Sequence, residues 1–362
     1  MPIIQVKLPH HRYDICIEPG LLQRVADLVK RYQLEGRTFV VTSPRIRRLH
    51  GRTLEQSLCS GGLILEWLMV PEGEQSKCLM HAERLYSHLI KRRADRSSLI
   101  LAFGGGMIGD LAGFVAATYL RGIRLIQIPT TLLAQIDSSI GGKVGVNHPL
   151  GKNLIGAFHQ PHLVLTDPCC LQTLPRRELR AGLMEAVKYG VIADPKLFAF
   201  IEKSVPLLLA CESAAVLRLV RDCSAIKAKV VSEDERESGL RMILNFGHTL
   251  GHALEAVTDY RCFKHGEAVG WGMVFAVQWA VDLGHLDYRE ANRVVHLVKA
   301  FGLPLLPKLS AAAIMAAMDK DKKRTQGSLR WILPQKIGQV IPYSTGDIFG
   351  LQQALIRHGI AC

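Results

Sequence analysis

Histidines and a carboxylate that could bind a metal ion are concentrated in the second half of the chain. His248 and His252 are four residues apart, so an α-helix would place them on one face, as in many zinc sites. His265 follows in a short loop, and Glu185 lies in an earlier helical segment. Three protein ligands with one open position are typical of a catalytic metal. The spacing leaves open which side chains bind, since histidine pairs also occur as ordinary core or surface residues.

A glycine-rich run follows an apolar segment in the first half. Leu99–Phe103 leads into a run in which Gly104, Gly106 and Gly109 fit the G-x-G-x-x-G spacing. Such a run lets a pyrophosphate approach the backbone at the next helix N-terminus. No acidic residue ends the following strand, so a non-standard dinucleotide loop and a simple packing turn are both compatible with the pattern. The segment Pro71–Lys77 could supply carboxylates to ribose hydroxyls or form an ordinary polar turn.

The apolar periodicity predicts the elements that position these groups. The expected strands are Ile3–Val6, Tyr13–Ile17, Thr38–Val41, Leu63–Leu68, Leu99–Phe103 and Leu125–Ile128, with helices at Leu21–Tyr32, Met80–Arg93 and Asp110–Leu120. After Pro175 the expected helices are Arg176–Tyr189, Pro195–Ala210, Ala214–Glu233, Ile243–Val257, Ala268–Leu283, Arg289–Phe301 and Ala311–Met318. We therefore predict an α/β N-terminal nucleotide-binding domain (1–170) followed by an all-α metal-binding domain (171–362), with a cleft at their junction.

Composition and charge exclude several functional classes. The 362 residues are 48% hydrophobic and 21% charged, as in a globular protein of two domains. The apolar stretch from Ser97 to Leu120 contains Asp110 and several glycines, which argues against a membrane span. Nine scattered cysteines without a C-x-x-C pair indicate a reducing compartment, so we expect a cytoplasmic protein. The net charge of +13 is dispersed along the chain, which favours an anionic small substrate over nucleic acid.

Several short motifs occur together along nearly the whole chain. They are Glu72-Gly-Glu-Gln-Ser-Lys77, Gly104-Gly-Gly-Met-Ile-Gly-Asp110, Thr130-Thr131, Asp137, Gly141-Gly-Lys143, Gly151-Lys-Asn153, Leu171-Gln-Thr-Leu-Pro175, Glu185-Ala-Val-Lys188-Tyr-Gly190, Lys227, the Arg241–His252 run, His265-Gly-Glu267 and Asp321-Lys-Lys323. In combination they resemble the dehydroquinate synthase family of sugar-phosphate cyclases. Two positions depart from the family pattern, with Ser43 in place of an expected Asn and Met184 in place of an expected Ala.

The resemblance implies a fold, a reaction and cofactors. It implies a homodimeric lyase that converts 3-deoxy-D-arabino-heptulosonate 7-phosphate (DAHP) to 3-dehydroquinate and phosphate in the shikimate pathway of aromatic amino acid biosynthesis. The steps would be transient oxidation by NAD, phosphate elimination, re-reduction and intramolecular aldol closure. Oxidation makes a neighbouring C–H acidic, which phosphate elimination requires, and a zinc or cobalt ion would polarise the reacting oxygen.

The resemblance also implies site residues. The metal ligands would be Glu185, His248 and His265, with His252 facing the substrate or supporting the ligands. The residues that would contact NAD are Glu72, Gly73, Glu74, Gln75, Ser76, Lys77, Gly106, Met107, Ile108, Gly109, Asp110, Thr130, Thr131, Lys143, Lys152, Cys170, Leu171, Gln172 and Thr173. Those that would contact the substrate anions are Lys143, Asn153, Lys188, Lys227, Arg241, Asn245 and the lysines of Asp321-Lys-Lys323. Arg121 would reach the phosphate of the neighbouring subunit, and Asp137 would either orient a group near the nicotinamide or serve as a buried structural residue.

Two enzyme classes compete with this interpretation. A sister sugar-phosphate cyclase acting on a substrate without a carboxylate would have no use for carboxylate-binding residues such as Arg241 and Lys227. A metal-dependent polyol dehydrogenase would release NADH and would not need lysines that bind phosphate. Outside the enzymes, a nucleic-acid-binding protein would show salt-dependent binding to duplex DNA.

Overall fold

The computed structural model describes residues 2–322 and 329–362. Contacts between Cα atoms divide the chain into two compact units. The first consists of Met1–Leu174 with Val216–Arg236, and the second of Pro175–Ala215 with Glu237–Cys362. The first unit therefore includes one stretch of helix from the second half of the sequence.

The first unit contains two sheets. Its strands are β1 (Ile3–Lys7), β2 (Arg12–Ile17), β3 (Thr38–Thr42), β4 (Leu65–Met69), β5 (Leu99–Gly104), β6 (Arg124–Pro129), β7 (Lys143–His148), β8 (Gly151–Phe158) and β9 (Leu163–Thr166). Seven strands form one sheet in the order β1-β2-β9-β6-β5-β3-β4. Neighbours pair in parallel except β1 with β2, which are antiparallel. The hairpin of β7 and β8 is separate.

Apolar side chains cover both faces of the seven-stranded sheet. The helices of this region are α1 (Val25–Arg31), α2 (Pro44–Ile46), α3 (Arg52–Ser60), α4 (Leu79–Lys91) and α5 (Gly106–Thr118). Val40 packs in one core cluster, whereas Phe39 and Val41 pack in the other. Burial on both faces explains why the strands are continuously apolar rather than alternating.

The second unit is mostly helical. The helices after Pro175 are α6 (Arg176–Ala193), α7 (Pro195–Lys203), α8 (Val205–Leu209), α9 (Ser213–Glu233), α10 (His248–Val257), α11 (His265–Asp282), α12 (Tyr288–Ala300), α13 (Ala311–Lys322) and α14 (Ile348–Arg357). Most of α9 belongs to the first unit. Within the second unit, α11 packs against α6, α10 and α12.

The predicted fold class is confirmed, with one addition to its helical part. The strands β10 (Leu329–Lys336) and β11 (Gln339–Thr345) form an antiparallel hairpin, so the second unit is mostly helical rather than all-α. The predicted helix Pro195–Ala210 divides at Ser204, ahead of Pro206. Among the described residues, no helix combines the length and apolar character that crossing a membrane requires.

Candidate active site

Glu185, His248 and His265 converge in the second unit from three helices. Glu185 lies within α6, whereas His248 and His265 are the first residues of α10 and α11. Their ligand atoms all lie within 4.8 Å of one another. Oε1 of Glu185 is 3.6 Å from Nε2 of His248 and 3.5 Å from Nε2 of His265. Two ligand atoms about 2.1 Å from a tetrahedral ion are about 3.4 Å apart, so these distances suit a single metal ion.

Hydrogen bonds at Nδ1 determine which ring nitrogen is available as a ligand. Nδ1 of His248 donates to the backbone carbonyl of Phe246 at 3.1 Å, and Nδ1 of His265 donates to Glu255 at 3.3 Å. The neutral rings therefore carry their lone pair on Nε2. Burial, and then the charge of Lys188, lower the pKa of His248 well below its ordinary value. Burial acts in the same direction on His265, but the hydrogen bond and charge of Glu255 outweigh it and raise the pKa of His265.

The carboxylate of Glu185 has unused bonding capacity. Its side chain is 1% exposed, and Oε1 has no hydrogen-bond donor within the part of the chain that the structure describes. Oε2 lies 2.6 Å from Nζ of Lys188. A buried acceptor without a partner costs about 1–3 kcal/mol, and a cation bound between Oε1 and two imidazole nitrogens would remove that cost. This set of one oxygen and two nitrogen ligands fits a divalent ion such as zinc or cobalt.

His252, the other member of the histidine pair on α10, is not part of this group of three. Its side chain is exposed, and its ring lies 5.8 Å from the ring of His265 and 5.5 Å from that of His248. With Glu255 and His265 it forms a second cluster whose ligand atoms also lie within 4.8 Å of one another. Helical spacing within α10 could not show which cluster holds the metal, because both clusters include His265, which lies on α11.

The segment before His248 is not a continuation of its helix. A short 3₁₀ turn spans Leu240–Asn245, and Gly247 follows with a φ of 80°. A Cβ added at Gly247 would lie 2.8 Å from the carbonyl oxygen of Val269, so only glycine fits this approach. The predicted helix Ile243–Val257 was therefore wrong at its start, since α10 begins at His248.

Three predicted substrate residues of the second unit are held by their surroundings. Lys188 is 1% exposed and pairs with Glu185. Arg241 is also 1% exposed, on the 3₁₀ turn. Nδ2 of Asn245 donates to Oε1 of Glu237 at 2.7 Å. Buried cations of this kind suit anionic groups of a small substrate better than surface attraction of a polymer.

The predicted dinucleotide residues of the first unit follow the carboxyl ends of its parallel strands. These ends share one edge of the sheet, where β3 is followed by Ser43, β4 by Glu72–Lys77, β5 by Gly106–Asp110, β6 by Thr130 and Thr131, and β9 by Cys170–Thr173. The chain places β4 on one side of β3 and β5 on the other, so the order of strands reverses between β3 and β5. Ligands of open α/β sheets bind at such a reversal.

The loop between β5 and α5 leaves the N-terminus of α5 without a side-chain cap. Gly105 caps α5 without a side-chain hydrogen bond, so the first N–H groups of this helix have no side-chain acceptor at the cap. A Cβ at Gly104 would lie 2.8 Å from Cβ of Ile108, and one at Gly106 would lie 2.9 Å from Oγ of Ser138. Glycine is therefore required for packing here, and the amides remain suited to a pyrophosphate.

A polar network around the buried Lys77 links α5 to the β7–β8 hairpin. Nζ of Lys77 lies 2.9 Å from Oδ2 of Asp110, 2.5 Å from Oδ1 of Asn153 and 3.2 Å from Oε1 of Glu74. Asn147 completes the network by donating to Glu74 at 2.8 Å and accepting from the backbone of Asn153 at 3.0 Å. Burial raises the pKa of Asp110, although Lys77 opposes the shift. Residues far apart in sequence are thus held together around one lysine.

Other predicted residues of the first unit occupy distinct positions. Lys227 on α9 forms an ion pair with Asp137. Lys143 is exposed at the start of β7, and Lys152 is half-buried on β8. Arg121 is exposed with a φ of 63°, a left-handed conformation that is unusual for a residue other than glycine. The side chains of the predicted lysines at positions 322 and 323 lie outside what the structure describes.

Two residues that contact the predicted site were missed by the sequence analysis. Glu255 bonds His265, and it follows His248 by seven residues on the same helix, a spacing that could have indicated it. Asn147 lies on β7, a strand that the sequence analysis did not predict.

Comparison with known protein families identifies the family of this chain. The model described as 3-dehydroquinate synthase N-terminal matches residues 67–181, and that described as 3-dehydroquinate synthase C-terminal matches residues 182–324. The chain belongs to the 3-dehydroquinate synthase family. A relative from Pelotomaculum thermopropionicum named 3-dehydroquinate synthase is 45% identical over 94% of this chain and 92% of its own.

Solved structures related to this family share its architecture. The 2-epi-5-epi-valiolone synthase ValA from Streptomyces hygroscopicus, with NAD⁺ and Zn²⁺ bound, has a TM-score of 0.90 and 28% identity over 98% of each chain. A 2-deoxy-scyllo-inosose synthase complexed with carbaglucose-6-phosphate, NAD⁺ and Co²⁺ has a TM-score of 0.87 and 25% identity, covering 99% of this chain and 100% of its own.

The two departures from the family pattern have local structural roles. Oγ of Ser43 accepts a hydrogen bond from the backbone of Ile46 at 3.4 Å and caps α2. Met184 is fully buried on α6, and its sulfur would lie 2.8 Å from a Cβ added at Gly270 of α11. The methionine therefore fills space beside a glycine of the facing helix.

Proposed function

We propose that the protein converts DAHP to 3-dehydroquinate and phosphate. The convergence of Glu185, His248 and His265 on one point, with an unsatisfied buried carboxylate oxygen, is the observation that carries this proposal. It supplies a metal site in a chain whose family is defined by this reaction. The full-length relative of the same name supports the choice of substrate.

The proposed cofactors are NAD and one divalent metal ion, zinc or cobalt. Both related solved structures contain NAD⁺, one with Zn²⁺ and the other with Co²⁺. When bound, NAD would accept and return a hydride, and the metal would polarise the oxygen that is oxidised.

In the second unit, the chain's own residues would hold the metal and the anionic substrate. Glu185, His248 and His265 would be the metal ligands. His252 is exposed beside them and would exchange a proton with the substrate. Arg241 would bind the substrate carboxylate through two parallel hydrogen bonds, with Lys188 and Asn245 holding neighbouring oxygens.

In the first unit, the residues at the sheet edge would orient NAD. The amides of Gly106–Asp110 would bind the pyrophosphate, and Glu72–Lys77 would bind the ribose. The remaining contacts proposed for NAD come from Thr130, Thr131, Lys143, Lys152 and Cys170–Thr173. Lys143, Asn153 and Lys227 would bind substrate anions, with Asp137 orienting Lys227 through their ion pair.

The proposed assembly is a homodimer in the cytoplasm. Leu154 and Phe158 on β8 are 50% and 47% exposed, on one face of a strand that pairs with β7 alone among the described strands. A second copy could cover this face and place its Arg121 at the phosphate. Mixing Arg121→Ala chains with His248→Ala chains would then restore activity, since each mixed dimer would contain one complete site. No activity in the mixture, with dimers verified by mass, would contradict the shared site.

Phosphate release from DAHP tests the proposed reaction. We expect release in the presence of metal, its loss after treatment with a chelator, and no accumulation of NADH absorbance. Net NADH formation would indicate a dehydrogenase instead. Release only from a sugar phosphate without a carboxylate would indicate a sister cyclase.

A further inference from the structure

The carboxylate of Glu255 contacts the proposed metal ligand His265 at Nδ1, the ring nitrogen that faces away from Glu185. Oε2 of Glu255 lies 3.3 Å from Nδ1 of His265, whose Nε2 is 3.5 Å from Oε1 of Glu185. One imidazole ring thus lies between two carboxylates, one at each nitrogen. Glu255 is 9% exposed on α10, while His265 begins α11. The contact therefore joins the two helices that supply the histidines.

We propose that Glu255 is a positioning residue that orients His265 as a metal ligand through Nε2. A carboxylate accepts the Nδ1–H proton and leaves the lone pair on Nε2, and its charge makes the imidazole a stronger electron donor. It also stops rotation of the ring about its Cβ–Cγ bond, because the flipped ring would place a carbon against the carboxylate. This proposal rests on the proposed function of the metal centre and adds a residue to it.

A second arrangement on the same helix fixes the backbone of His265 but not its ring. Arg177 on α6 makes two hydrogen bonds of 2.7 Å to Glu267, which in turn accepts from the backbone N–H of Lys264 at 2.8 Å. These contacts hold the first turn of α11. The orientation of the ring about its side-chain torsions is left to Glu255.

Glu255 also belongs to the cluster with His252 and His265 that could hold an ion by itself. An ion there would bind Nδ1 of His265 while Nε2 still bound the first ion, so the ring would bridge two ions. The two uses of the ring differ in stoichiometry, since positioning requires one ion per chain and direct ligation of a second ion requires two. Metal counting therefore separates them.

The test is metal affinity in variants of the full chain, measured by chelator competition with Zn²⁺ and by the visible absorption spectrum with Co²⁺. Glu255→Ala should weaken binding about 10–100-fold and change the Co²⁺ spectrum. Glu255→Gln keeps an oxygen that accepts the Nδ1–H proton, so it should recover most of the affinity. Wild-type protein should bind one ion per chain by elemental analysis.

A matched control exists on the same unit. Asp282 accepts from Nε2 of His358 at 2.8 Å, a carboxylate–histidine pair made by residues outside the proposed metal centre. Asp282→Asn should lower thermal stability without changing metal affinity, and circular dichroism would check folding of every variant. If Glu255→Ala fails to fold, Glu255→Gln is compared with Glu255→Asp, whose shorter side chain should lose affinity.

Three results would overturn the positioning role. They are wild-type affinity in folded Glu255→Ala, unchanged affinity in folded Glu255→Asp, and two bound ions in wild-type protein that fall to one in Glu255→Ala. None of these would affect the proposed reaction, which fails separately if wild-type protein with bound metal releases no phosphate from DAHP.

Discussion

At the scale of single residues, the two candidate sets of metal ligands make different predictions. In one set His248 binds the metal with Glu185 and His265, and in the other it binds as a helical pair with His252. Glu185 Oε1 lies near Nε2 of His248 and of His265, whereas His252 is exposed beside them. We expect His248→Ala and His265→Ala each to lose bound metal, because each removes one of three ligands. His252→Ala should retain metal and lose turnover. Elemental analysis after dialysis, together with phosphate release, measures both effects, and equal metal loss in all three variants would restore the helical pair as the ligands.

We propose that a single residue, Arg241, also decides substrate choice. Arg241 is 1% exposed, so little water would reach a carboxylate that has lost this side chain. A buried charge-assisted contact is worth about 2–5 kcal/mol when its partner is left unpaired, and lysine cannot copy a bidentate bond. We therefore expect Arg241→Lys, and more so Arg241→Ala, to lower kcat/KM for DAHP by well over roughly tenfold, or about 1.4 kcal/mol. NAD affinity, measured by titration, should change little. Full activity of Arg241→Ala on DAHP would favour a sister cyclase.

At the scale of elements, sequence analysis succeeded where apolar periodicity is continuous. The strands β1 to β6 and the long helices α6, α9 and α11 were predicted close to their observed bounds, whereas the short parallel strand β9 was missed. The β7–β8 hairpin was missed because its glycine and polar residues are typical of loops, and its strands are only partly buried. The start of α10 was placed too early because the apolar pattern continues through the 3₁₀ turn and does not register the left-handed Gly247.

Some site residues could likewise be predicted from local sequence, whereas the choice among others depends on tertiary packing. Motifs indicated Glu185, His248 and His265 before any geometry was known, and spacing could not choose between His252 and His265. That choice depends on how α6, α10 and α11 pack, which is a long-range property. Glu255 lies two helical turns after His248, so spacing could have placed it on the same face of α10, but its contact with His265 depends on the packing of α10 against α11.

The connection between β6 and β9 carries a histidine that makes stability depend on pH. Nδ1 of His162 accepts a hydrogen bond from the backbone of Leu125 at 3.4 Å, so the ring must be neutral there. Burial, followed by the charges of His11 and His159, lowers the pKa of His162 to about 4. The unfolded chain takes up this proton near pH 6.5. The stabilisation is therefore complete above pH 6.5 and is lost as the pH falls towards 4, by up to about 1.4 kcal/mol per pH unit.

A matched variant isolates this contribution. His162→Asn keeps an acceptor but cannot titrate, so its unfolding free energy in urea should fall less steeply between pH 6.5 and 4 than that of the parent. Identical slopes for the two proteins would show that His162 is not responsible.

At the scale of the whole molecule, the two proposed cofactors depend on different compact units. The residues proposed for NAD belong to Met1–Leu174, whereas the metal ligands belong to Pro175–Ala215 and Glu237–Cys362. The contacts described for Lys77 and for the start of α5 involve none of the proposed metal ligands, so we expect this region to stay intact when the metal is removed. We expect chelation to abolish phosphate release while NAD affinity changes by less than about threefold, or roughly 0.7 kcal/mol. Calorimetric titration of NAD into metal-free and metal-loaded protein measures this difference. Full activity in a preparation shown to be metal-free would disprove the metal centre, and loss of NAD binding on chelation would show that the two units are energetically coupled.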